Sequence, residues 1–197
     1  MKKKSLKLAA KTFVENVDKI AEFTQRCVGA VSITKEDKIW CYDLAIIRLY
    51  REFEELILSC LVAMINNDAA TFSEVKQRTF PKHLNVEVCE YLICGDGYFD
   101  FAGREGLLKQ VSRVVPDQHW LRTIVRDTAY TDSLNQLSAL RNFAAHDSAV
   151  SKKSALKATG SKKMSSSGSW LQKDGRFDTI CECLKKMSQK IEAGAAY

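Results

Sequence analysis

The sequence predicts an all-α fold, and three observations carry that expectation. Only two prolines and nine glycines interrupt 197 residues, which leaves long helical stretches unbroken and disfavours a many-turned sandwich or barrel. Apolar residues recur at i, i+3/i+4 and i+7 through most of the chain. Thr34 with Asp37, and Thr71 with Glu74, show the spacing of capping boxes at helix starts. A chain of this length has room for one domain with a real core, and residues 1–197 are read as one.

The first helix spans residues 5–28, on the stripe Leu6, Ala10, Phe13, Val17, Ile20 and Cys27, and Gly29 ends it. Thr34 opens the longest element, a helix of about thirty residues with apolar positions from Ile39 to Met64, ending near Asn66-Asn67. Its acids, Glu52, Glu54 and Glu55, read as surface charges, with Arg48/Glu52 and Arg51/Glu55 at i, i+4; a catalytic role for one of them is the minor alternative. A short helix opens at Thr71 and stops before Pro81, and residues 82–94 form another. Residues 95–106, with four glycines, are a loop; they lack the ending of a phosphate-binding loop. Short helices follow at 107–115 and 117–127, then one capped by Thr131 or Asp132 with the stripe Leu134, Leu137, Leu140 and Ala144.

Residues 148–169 contain eight serines and no aromatic residue and read as a long flexible loop. Order returns in a C-terminal helical segment at 170–193. Charge follows the same division. Residues 1–7 form a basic tail with four lysines, and residues 148–173 hold six more without an acid. Set aside from the net +6, those ten lysines leave the rest of the chain at −4. Basic appendages on a mildly acidic body point to a polyanionic partner or serve solubility. Lys152, Lys153, Lys157, Lys162 and Lys163 are the candidate phosphate contacts.

Charged residues interrupt every apolar run before the ~20 residues of a membrane span, and Lys7, Lys11 and Glu15 break up any signal sequence. The expectation is a cytoplasmic protein. Seven cysteines, with no Cys-x2-Cys, fit free thiols in a reducing compartment better than a zinc site.

The three histidines each follow an arginine by five or six positions, but Pro81 and Pro116 divide the first two pairs. Only Arg141 and His146 share an unbroken helix, in the segment Leu140-Arg141-Asn142-Phe143-Ala144-Ala145-His146-Asp147. Asn142 and His146 lie within ~40° of each other on that helix, so the amide is expected to reach the imidazole or its ligand. Arg141 points ~140° from His146, so a single helix does not aim both at one phosphate. Two copies crossing at a two-fold axis would, and the small Ala144 and Ala145 let backbones approach. An imidazole can take the proton of a ribose 2′-hydroxyl, and a guanidinium can fork onto phosphate oxygens as charge develops.

This segment resembles the Arg-polar-x(4–6)-His motif of the HEPN superfamily of all-helical ribonucleases. With the long helix around residues 46–55, a basic segment and a final helix, it is similar to the RiboL-PSP-type members. Asp147 stands where that group commonly has Gly. The resemblance implies Arg141 and His146 as catalytic residues, with Asn142 supporting them. It further implies metal-independent RNA cleavage without a cofactor, a homodimer joined at the motif, and a setting in toxin–antitoxin or antiphage defence, with a cognate antitoxin or defence protein as possible partner. Two other readings stay open on the residues themselves: a non-catalytic dimerisation or partner-binding module, and an RNA-binding accessory subunit.

Overall fold

The computed structural model describes residues 3–196, and among them the chain is all-α, without a strand. Ser5 accepts from the Leu8 amide and starts α1 (Leu6–Val28). Thr34 and Asp37 close the expected capping box, and α2 (Lys35–Asn67) then runs unbroken for 33 residues. Its middle and C-terminal turns are buried on nearly every face, because α1 and later helices of the chain pack around it. Phe13 of α1 meets Phe53 of α2 edge-on at 5.8 Å, near the centre of the core. Among the described residues no single helix is long and apolar enough to cross a membrane.

The middle of the chain is a set of short helices: α3 (Ala69–Lys76), α4 (Val86–Cys94), α5 (Gly103–Ser112) and α6 (Trp120–Arg126). Thr71 does not cap α3. Asp68 does, receiving both the amide and the hydroxyl of Thr71. His119 is the N-cap of α6, its Nδ1 accepting from the Leu121 amide, so this histidine serves the fold. A 3₁₀ turn at Thr128–Tyr130, capped by Asp127, runs straight into α7 (Thr131–His146), which therefore has no side-chain cap of its own.

The expected flexible loop at 148–169 is helical instead. Ser148 and Ser151 form a capping box for α8 (Ala149–Thr159), which packs along α7, and Ser166 and Ser169 form another for α9 (Ser167–Leu171). Four of the eight serines that read as linker are helix caps. The inward positions of α8 and α9 include Ser151, Ala155, Ser167 and Gly168, too small to register as an apolar stripe yet small enough for close helix approach, and Met164 is buried in the connection between them. Gly160 ends α8 in the left-handed conformation with φ 64°, which an L side chain adopts only with strain. The C-terminal segment likewise begins earlier than Trp170 and is divided: Asp174 and Gly175, both at positive φ, separate α9 from α10 (Arg176–Gly194).

The basic tail is partly docked. Met1 and Lys2 lie outside the described residues, but the Lys3 ammonium meets the Asn66 carbonyl, and the Lys4 amide donates to Asn66 Oδ1 at 2.8 Å. Asn66 in turn donates to the Leu84 carbonyl, so one buried amide ties the chain start to the end of α2.

Candidate functional site

Helix α7 presents Leu134, Leu137, Leu140 and Phe143 to the core. Helical spacing then leaves Arg141 and Asn142 half-buried on its flank and Ala145 and His146 exposed.

Arg141 is held in place. Its guanidinium carbon lies 4.4 Å from the centroid of the Tyr50 ring on α2, a cation–π stack. One guanidinium nitrogen, Nη1, donates to Asn142 Oδ1 at 2.7 Å. Among the described residues its remaining donors have no protein partner. Tyr50 is itself fixed, 1% exposed, with its ring stacked on Phe101 at 5.1 Å. Its hydroxyl lies 2.6 Å from Asp100 Oδ1 and 2.7 Å from the Phe101 carbonyl. Burial, and then the Asp100 carboxylate beside it, push the phenol pKa upward, so Tyr50 stays protonated and donates.

Asn142 does not join His146 as the helical wheel suggested; its side-chain oxygen accepts from Arg141. His146 occupies the last turn of α7. Among the described residues, nothing hydrogen-bonds or ion-pairs with its imidazole. Asp147 follows in the left-handed conformation, φ 38°, its amide donating to the Phe143 carbonyl, and Ser148 at once caps α8. The chain therefore reverses directly after the imidazole.

Sequence reasoning weighed a catalytic role for Glu54, one turn beyond Tyr50 on α2, only together with Glu52 and Glu55, and favoured surface charges for all three. Its neighbours are engaged: Glu52 pairs with Arg48 at 2.6 Å and accepts from Asn16, and Glu55 accepts from Ser59. Glu54 is half-buried, and no cation lies within ion-pair distance of it among the described residues. Burial pushes its pKa up to about 7; the nearby Arg141 charge opposes this, Asp100 adds to it, and a hydrogen bond from Tyr50 and the Arg51 charge pull it back down. Only the tertiary approach of α2 to α7 makes this visible. The local signal, Tyr50 and Glu54 at i, i+4, is one that any helix shows.

No protein-family model, curated protein or solved structure matches this chain. The reading of the site therefore rests on its own residues.

The five lysines lie on and just after α8. Lys152 is half-buried, its ammonium 6.0 Å from the centroid of the Phe143 ring. Lys153 and Lys157 are exposed four residues apart on α8, and Lys162 and Lys163 are exposed in the connection to α9. Beside the motif helix, Trp40 and Leu44 of α2 are 58% and 67% exposed. They line a groove of about 430 Å³ that Phe143, Ala144 and Asp147 of the motif also line. Among the described residues no group of three His, Cys, Asp or Glu side chains is placed to hold a metal ion, and all seven cysteines are free thiols.

Proposed function

We propose that the protein is an endoribonuclease of the HEPN type, acting as a homodimer on RNA in the cytoplasm. Arg141 binds the scissile phosphate and stabilises the charge that develops on it; His146 takes the proton from the 2′-hydroxyl; Asn142 orients Arg141. The products are a 2′,3′-cyclic phosphate and a 5′-hydroxyl. The observation that carries the reading is the state of Arg141: stacked on a buried tyrosine, bonded to its neighbouring amide, and still left with donors for an anion. Preorganised donors of this kind stabilise a transition state without reorganising during the reaction.

The geometry of the motif helix supports a dimer. Arg141 and His146 diverge by ~140° on one helix, so a site containing both draws one from each of two copies. Exposed Trp40 and Leu44 beside the motif supply apolar area for that contact. A toxin of a toxin–antitoxin or antiphage system is the setting this activity fits. The same exposed face also suits a purely partner-binding module, the second reading.

RNA degradation in excess EDTA separates them. Wild-type protein should cut, and His146→Ala and Arg141→Ala should each lose at least ~10²-fold in rate. Activity that vanishes in EDTA and returns with magnesium, or variants as fast as wild type, overturns the assignment.

A further inference from the structure

Cleavage through a 2′-hydroxyl moves two protons. One leaves the attacking oxygen, and one reaches the 5′ oxygen as its bond to phosphorus breaks. Arg141 supplies neither, since a guanidinium does not titrate near neutral pH. His146 accounts for the first.

We infer that Glu54 is the second proton-transfer residue of this site, donating its carboxyl proton to the departing 5′ oxygen next to the phosphate that Arg141 binds. The inference rests on the endoribonuclease reading and adds a catalytic residue to it. Competing donors are excluded by their surroundings. The Tyr50 hydroxyl is buried and surrounded by acceptors, with Asp100 Oδ1 and the Phe101 carbonyl at 2.6 and 2.7 Å and the Glu54 carboxyl also in its reach. Asp100 also receives the Phe101 amide at 2.8 Å. Glu54 combines partial exposure, a place one helical turn from the Tyr50 ring that the Arg141 guanidinium covers, and a carboxyl with no ion pair among the described residues.

The groups facing Glu54 fix its protonation. From α2 itself come Tyr50 and Arg51, from α7 Arg141, and from the segment before α5 Asp100. Burial raises the carboxyl to about 7, with Arg141 pulling down against it. A bound phosphate offsets the Arg141 charge and weakens that pull, so Glu54 holds its proton when RNA is present. The balance closes within the site. The 2′ oxygen bonds to phosphorus and its proton passes to His146; the P–O5′ bond breaks and O5′ takes the Glu54 proton. Solvent then returns the two groups to their starting states.

The test uses RNA with one bridging 5′ sulfur at the cut site, because a thiolate leaves without being protonated. On ordinary RNA, Glu54→Gln should cut ~10²-fold more slowly than wild type, the usual scale for losing a general acid. On the 5′-thio substrate its rate should come within several-fold of wild type, whereas His146→Ala should stay slow on both. A carboxyl ¹³C titration of the wild type adds a readout apart from activity: the Glu54 midpoint should lie near 7 and rise with a 2′-O-methyl oligonucleotide. If wild type cuts and Glu54→Gln cuts ordinary RNA equally well, or is slowed alike on both substrates, the assignment of Glu54 is wrong and the endoribonuclease stands. If wild type cuts neither substrate, both fall.

Discussion

Gly168 and Ile39 touch backbone to backbone: a Cβ on Gly168 would land on the Ile39 carbonyl oxygen, far inside contact distance. The Gly168 amide also donates to Asp43 Oδ1 at 2.5 Å, so α9 is pinned to α2 at a point where no side chain fits. Gly168→Ala should therefore destabilise the protein by ~1–3 kcal/mol, the scale of overpacking in a closed interior. Urea denaturation checks it, and an unchanged midpoint would mean α9 does not seat there.

A second expectation concerns pH. Glu54 titrates near 7 in the folded protein against 4.5 for an ordinary glutamate, so the folded state holds a proton that the unfolded state gives up. The stability from this group is complete below about pH 4.5 and is lost as pH rises through about 7. Gln does not ionise and suffers no such loss. Glu54→Gln should melt with wild type at pH 4.5 and a few degrees above it at pH 8. Water partly screens the half-exposed carboxyl, so the gain is on the order of 1 kcal/mol, or about 2–4 °C. Coincident melting curves at pH 8 would contradict the shift.

The proposed shared site makes a prediction about mixtures. Arg141→Ala and His146→Ala, each nearly inactive alone, should regain activity when co-refolded, because a heterodimer rebuilds one intact site. Trp40→Glu with Leu44→Asp should give monomers in sedimentation, with unchanged helical circular dichroism and little activity. A fully active monomer would rule out the shared cleft.

The lysines of α8 and its following turn should contribute affinity and leave the chemical step alone. Changing Lys153, Lys157, Lys162 and Lys163 to Gln removes charge while keeping helix propensity. Apparent KM should rise and the salt dependence flatten by about one unit of slope per lost phosphate contact. The rate at saturating RNA should change little, the mark of uniform binding. An unaltered salt slope would assign these lysines to solubility alone.

Helices with a conventional apolar stripe were legible in the sequence. Leu6 to Val17 announces α1, and Thr34 with Asp37 marks the start of α2 to the residue. Helix α8 was not legible, because its inward side is Ser151 and Ala155, and period-based reading looks for Leu or Ile. At the site, Arg141, Asn142 and His146 stood out by spacing within one helix. The partners that condition them, Tyr50, Glu54 and Asp100, come from elsewhere in the chain, and no local pattern joins those positions. The orientation of Asn142 was misread for a related reason. Wheel geometry places it near His146, but the guanidinium next door is the stronger donor.

Tyr50 belongs to two structures at once. One side of its ring stacks on Phe101, which also meets Phe53 edge-on; its other partner is the Arg141 guanidinium. Heritable change at Phe53 or Phe101, deep in the interior and remote from any substrate, therefore arrives at the guanidinium as a displacement. Interior packing and the Arg141 surface are thus obliged to evolve together, and a lineage repacking one must keep the other in register.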